Sequence, residues 1–242
     1  MTIKDVHDFI LFSLNKEQNA YISHEEIDMV LDRAQMTQFN EYYGNPRAYR
    51  PDKQEALIAY GATQKINDAL SPFKATYAFA STDTPGGVLT LPSNYMYLIS
   101  LYTTYYSSGL ARTIYNPVAV LNEEELIYRL ESQVIPVTTD DPICIMNSGN
   151  LIQLFPETGQ TGKLFYFRRP AVPKFGYTSS GRSITYNSAV YNSTTAPTGS
   201  IQLEWREADI TNIIIKALSY YGLSISNNDV IQFAENKNQQ GN

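Results

Sequence analysis

The side chains able to carry covalent or metal chemistry in this chain are few: two histidines, His7 and His24, and one cysteine, Cys144. A Ser-His-Asp or Cys-His arrangement would have to recruit an N-terminal histidine to a nucleophile far away in sequence. A zinc site of the usual ligand types is equally short of donors. Carboxylates cluster twice. Asp140-Asp141 precedes Pro142 and reads as a turn, and Glu123-Glu124-Glu125 reads as the acidic first turn of a helix, so neither is spaced as an acid/base pair. Thr161-Gly162-Lys163 lacks the glycine-rich lead of a phosphate loop and is followed by a strand-like run instead of a helix. The expectation is a protein that is not an enzyme, with no cofactor and no metal.

The composition points to surfaces. The 242 residues suffice for one large domain or two small ones, 43% are hydrophobic, and 19 tyrosines stand against the single Trp205. Tyrosine joins a large apolar ring to a polar tip, which suits faces that are buried on assembly, although it also fills sheet faces within a chain. A net charge of −6 is the wrong sign for a general nucleic-acid binder. One cysteine allows no internal disulfide. The apolar run Phe9–Leu14 is short, is broken by Ser13 and follows Lys4, Asp5 and Asp8, so it does not read as a secretory leader. No segment approaches the ~20 apolar residues of a membrane span. A soluble protein made in a reducing compartment is expected.

The elements that position these residues follow from periodicity and capping. Val6, Ile10 and Leu14 form one helical stripe over residues 4–15. Ser23 and Glu26 make a capping box that opens a helix from Glu25 to Tyr43, about 28 Å long, stopped by Gly44, Asn45 and Pro46. Asp52 and Glu55 repeat the signal for a third helix ending at Ser71-Pro72. From Thr76 onward the composition turns to strand and turn residues. Strands are expected at Val88–Leu91, Tyr97–Tyr105, Ile143–Ile145, Leu151–Phe155, Lys163–Phe167 and Ile201–Trp205. Leu151–Phe155 and Lys163–Phe167 flank a loop with Pro156, Gly159 and Gly162 and read as a β-hairpin, apolar on both faces and needing cover on both. One helix, over 122–132, interrupts this region behind an Asn122 cap, with Leu126, Ile127 and Leu130 as its apolar face. The polar stretch 174–200 is long enough to hold a small hairpin, for which Ser183–Tyr191 is the candidate. A closing helix over Ala208–Tyr221 stops at Gly222, a shorter one starts at about Asn227, and Glu235–Asn242 is a polar tail. The fold class expected is α+β: an N-terminal helical hairpin or bundle (1–75) and C-terminal helices (206–242) packed with an antiparallel β domain (76–205).

The β half is electrically polarised. From Thr158 through Leu203 there is no Asp or Glu, while Lys163, Arg168, Arg169, Lys174 and Arg182 lie in that stretch. Residues 122–141 hold Glu123, Glu124, Glu125, Glu131, Asp140 and Asp141 against Arg129 alone. Either the two regions pair within one chain or face solvent, or they complement neighbouring copies head-to-tail, the geometry that closes into a ring. The candidate subunit contacts are therefore Arg168, Arg169, Lys174 and Arg182 on one side and Glu123, Glu124, Asp140 and Asp141 on the other.

The order of several short motifs adds a resemblance over nearly the whole chain. A short N-terminal helix is followed by Leu31-Asp32-Arg33-Ala34-Gln35 with Phe39, then Asn67-Asp68-Ala69-Leu70-Ser71-Pro72-Phe73, then Leu91-Pro92-Ser93-Asn94-Tyr95. After these come Leu154-Phe155-Pro156, Phe167-Arg168-Arg169-Pro170 with Pro173, and a closing Asp209-Ile210-Thr211-Asn212-Ile213-Ile214. Together these resemble the head-to-tail connector ring proteins, or tail adaptors, of short-tailed bacteriophages, especially the crAss-like group. The resemblance implies a non-enzymatic virion protein at the head–tail junction, assembled in the host bacterial cytoplasm. It would form a homo-oligomeric ring below the portal, usually of about twelve subunits, touching the portal, adjacent rings or tail proteins. Packaged DNA would pass through the ring, and an acidic lining offering few lysines to phosphate would let it slip. A tail-fibre or surface module that reads glycans with its tyrosines is the alternative from another class; the helical N-terminal third weighs against it.

Overall fold

The computed structural model describes residues 1–15, 22–44, 64–107, 109, 111–181 and 183–225. The fold is α+β, and the chain divides into two compact units, Met1–Pro72 with Pro170–Asn242, and Phe73–Arg169. The stretch 170–205 thus belongs with the helices and not with the β-rich part.

In the first unit, α1 (Ile3–Asn15) buries Ile3, Val6, Ile10 and Leu14 along one stripe. The Ser23–Glu26 box forms as expected at the start of α2 (His24–Gly44): the Ser23 hydroxyl accepts from the Glu26 amide at 3.2 Å, and the Glu26 carboxylate accepts from the Ser23 amide at 2.8 Å. The face so oriented buries Ile27, Leu31, Ala34 and Phe39. Residues 64–70 are helical (α3); the Asp52–Glu55 box expected to open this helix lies outside the described residues. A closing helix, α5 (Glu207–Ile225), packs against α2. The Tyr42 hydroxyl donates to Asp209 at 2.7 Å, Thr37 and Tyr220 share a hydrogen bond of 2.8 Å, and Lys216 pairs with Glu41. Gly222 does not end α5. One glycine in a helix costs only about 1 kcal/mol, which burial of Ile210, Ile213, Ile214, Ala217 and Leu218 outweighs. The second helix and polar tail expected after Asn227 lie outside the described residues.

The 174–200 stretch does contain a hairpin, but earlier than expected. Its strands are β9 (Tyr177–Ser180) and β10 (Ser183–Tyr186), which leaves the turn at Gly181 with φ 63°, a conformation glycine adopts without penalty. Isolated bridges such as Lys174–Ile201 and Asn192–Ala196 order the remainder. Ile201–Trp205 is not a strand. Trp205 instead meets Phe39 of α2 edge-on at 6.4 Å, so this run is held by side-chain packing on a helix.

The second unit is two four-stranded sheets around one core. The first has the order β1-β8-β3-β4, from β1 (Lys74–Phe79), β3 (Tyr95–Ser107), β4 (Arg112–Pro117) and β8 (Thr161–Arg168). The second has the order β2-β7-β6-β5, from β2 (Val88–Thr90), β5 (Ala119–Val120), β6 (Ile143–Asn147) and β7 (Leu151–Phe155). The first sheet is antiparallel throughout, and the second has one parallel pair, β5 with β6. Leu101, Leu164, Tyr166 and Phe79 from the first sheet meet Leu89, Cys144, Ile152 and Leu154 from the second. Between β5 and β6 lies α4 (Glu123–Leu130), with Asn122 at its N-cap as the sequence implies and the Asn122 amide donating to the Glu125 carboxylate at 3.3 Å, but none of its residues is buried.

The hairpin expected over Leu151–Phe167 does not exist. β7 pairs with β2 and β6, whereas β8 pairs with β1 and β3, so consecutive strands cross from one sheet to the other. Paired side by side, they would have joined their apolar faces into one sheet needing two covers. Placed in facing sheets, Ile152 and Leu154 cover Leu164 and Tyr166, the arrangement that removes more apolar surface from water. The crossing is tight at Gly162, where a Cβ would run into the Tyr102 carbonyl oxygen and the Phe79 ring. Gly162→Ala should therefore destabilise the protein by about 1–3 kcal/mol, read as a lower urea midpoint at unchanged slope; an unchanged midpoint would show that β8 has room the structure denies it.

Candidate assembly surface

Side chains alternate across the first sheet, so the register assigns its outer face to Lys74, Thr76 and Ala78 on β1 and to Lys163, Phe165 and Phe167 on β8. From β3 and β4 come Tyr102, Thr104, Tyr106, Thr113 and Tyr115. Tyr102 stacks its edge on Tyr115 at 5.5 Å and lies 5.6 Å from Phe165. Toward β4 this aromatic cluster opens to solvent: Tyr106 is 66% and Tyr115 62% exposed. The charged groups on this face are both cations, Lys74 and Lys163, both exposed, and neither makes an ion pair among the described residues.

The acidic candidate surface is α4. Arg129 reaches the Asp141 carboxylate and the Ile135 carbonyl oxygen, which turns that side of the helix toward its own chain. At 100° per residue the opposite side carries Glu123, Glu124, Ile127 and Tyr128. Ile127 is 58% and Tyr128 78% exposed, and Leu130, Val134 and Ile135 extend the apolar surface beyond them. An eight-residue helix is marginal alone, because nucleation costs more than so few hydrogen bonds return. Its capping box and the Arg129 clamp hold it without covering it.

The other expected contact residues are placed as follows. The Arg168 guanidinium lies over the Phe73 ring at 5.8 Å. Arg169 is exposed, and its amide donates to the Asn94 carbonyl oxygen at 2.8 Å. Lys174 is half-buried and turned inward, 4.1 Å from the Tyr191 ring centroid and donating to the Pro197 carbonyl oxygen at 3.1 Å. Asp140 accepts from Tyr105, which raises that phenol's pKa. Arg182 lies outside the described residues. The aromatic sheet face and Lys74 were missed from sequence; the signal that finds them is period-two alternation in Lys74–Phe79, readable only once β8 is known to be its neighbour.

The two histidines, distant from any nucleophile in sequence, meet each other. His7 is fully buried; its Nε2 lies 3.0 Å from the Asp28 carboxylate and its Nδ1 3.2 Å from Nδ1 of His24. Asp28 also accepts the Phe175 amide at 2.9 and 3.0 Å, and the Phe175 ring stacks on His24 at 4.1 Å and on His7 at 4.6 Å. If His7 donates to Asp28 through Nε2, its Nδ1 accepts and His24 donates; the contact needs a proton on one of the two facing nitrogens and a lone pair on the other. Both ring nitrogens of His7 are thus engaged, and among the described residues no group of His, Cys, Asp or Glu converges as a metal site. Burial pushes the Cys144 thiol up to about 12, leaving it protonated at neutral pH.

Around His24 stand His7, Asp8, Glu25, Asp28 and the Tyr177 ring; burial, then the charge of His7, lowers its pKa, against the opposing carboxylates. A lowered folded-state pKa means that the unfolded chain binds the proton more readily. This contribution is fully present above the ordinary value of 6.5, falls as pH drops through it, and levels off below the folded pKa. His24→Gln should flatten the part of the stability profile between pH 7 and pH 5 (about the histidine range), measured by urea unfolding. An unchanged slope would remove His24 as its source.

Among the described residues no helix is long and apolar enough to cross a membrane. No protein-family model matches the chain, and a search of the curated proteins finds no match.

Proposed function

We propose that the chain is a structural protein of a virion, one subunit of a head-to-tail connector ring below the portal that joins capsid to tail and lines the channel for DNA. The observation that carries this reading is that one compact unit holds two apolar surfaces of opposite charge that the chain leaves wholly or partly open, the aromatic face with Lys74 and Lys163 and the acidic helix with Ile127 and Tyr128. Surfaces that complement each other but do not meet within a chain favour a contact between copies. The order of motifs resembling tail adaptors supplies the place of that contact, and the net charge of −6 suits a channel wall that does not hold phosphate. The role is carried by contacts and not by catalysis, and the neighbours are the portal, adjacent rings or tail proteins.

A second reading, a glycan-binding tail or surface module, has one observation in its favour. A hollow of about 450 Å³ is lined by Tyr105, Tyr106, Thr104, Thr113, Thr139 and Thr161, with hydroxyls and rings but no charged side chain. Quantitative mass spectrometry of purified particles, with averaged electron micrographs of the head–tail junction, separates the two. About a dozen copies at the neck are expected; a few copies at the distal tip, together with glycan-array binding, would replace the ring reading with the second.

A further inference from the structure

The geometry points to the contact itself: the outward side of α4 from one copy seats on the aromatic outer face of the β1-β8-β3-β4 sheet of the next copy, with Glu123 and Glu124 against Lys163 and Lys74. This inference rests on the ring reading and names its interface.

Three features commit the occupant to a second copy. Glu123 and Glu124 have no ion pair among the described residues, and neither have Lys163 and Lys74. The acids flank Ile127 and Tyr128 on the helix, while Lys163 lies between Tyr102, its cross-strand partner, and Ala78, with Phe165 two residues along. Each surface is therefore an apolar centre with charge at its side, of opposite sign on the two. The lengths also agree. Eight helical residues span about 12 Å at 1.5 Å per residue, and Lys74 and the Lys163 position, opposite Ala78, are four strand residues apart, about 13 Å. Helix on helix would oppose acids to acids and sheet on sheet lysines to lysines, so the contact joins unlike surfaces. Arg168 and Arg169, the cations prominent in sequence, are not needed for it.

The test is zero-length carbodiimide cross-linking of the full chain, mixed from light and ¹⁵N-labelled protein, so that links between copies carry mixed isotopes. Links from Glu123 or Glu124 to Lys163 or Lys74 between copies are expected. Lys163→Glu should weaken self-association about tenfold or more by sedimentation, and adding Glu124→Lys should restore it; circular dichroism confirms that these exposed-site variants fold. Self-association with links elsewhere, or with Lys163→Glu having no effect, overturns this interface and leaves the ring reading standing. Links confined to single chains overturn it as well. A chain that remains monomeric at all concentrations and is absent from particles overturns both.

Discussion

A strand apolar on both sides must be covered on both, and β8 is such a strand. Leu164 and Tyr166 are buried toward the core, while Phe165 and Phe167 project from the opposite side. The core side is satisfied by the second sheet, and this fixes the path of the chain: the short link after β7 must carry it from one sheet to the other. The outer side is satisfied only in part. Its aromatic cluster is half-buried around Tyr102 and Phe165 and open at Tyr106 and Tyr115. What the interior requires of β8 thus generates the surface on which an assembly role would depend.

The helical unit answers to a different constraint. Asp28 sits on α2 where the backbone of the long 170–205 segment needs an acceptor, and its carboxylate takes the Phe175 amide and the His7 ring together. Tyr177 continues the attachment by donating to Glu25 at 2.5 Å, a hydrogen bond that holds this carboxyl's pKa below its ordinary value. The polar cluster therefore does the ordering that a strand ladder would do elsewhere, and it places the only two histidines in contact. Charge-assisted hydrogen bonds of this kind are stronger than neutral ones, which suits a segment with so little regular structure of its own.

Local signals in the sequence were legible, and pairings were not. The Ser23 and Asn122 caps, the stripes of α1 and α2, and the ends of β7 follow from residues within a few positions of each other. The partner of β7 does not: Pro156 and the glycines around it announce a turn but not whether the chain returns alongside or crosses over. β1 went unread because Lys74, Thr76 and Ala78 dilute its apolar side, and the His7–His24 contact because the Phe175 ring that stacks on both arrives far along the chain. For the candidate surface, the acids were visible as a cluster, yet the exposure of Ile127 and Tyr128 was not. A capped amphipathic helix reads as one that buries its stripe, and this one does not.

That difference bears on how an assembly of such subunits would behave. A heterologous contact made of charge alone would be screened over about 8 Å at physiological salt, and one made of apolar surface alone would join copies in any register. Combining the two separates their tasks. The lysines and glutamates would select the orientation in which opposite surfaces meet, and the rings of Tyr102, Tyr115 and Tyr128 with Ile127 would supply burial that salt does not weaken. Were the same contact to repeat around a closed ring, each subunit would be held from two sides and no sticky edge would remain, so a modest interface would suffice where an open dimer would need a larger one. Short of closure, every intermediate of such an assembly would still present one acidic helix and one aromatic face, and addition of further copies would continue until the last pair met.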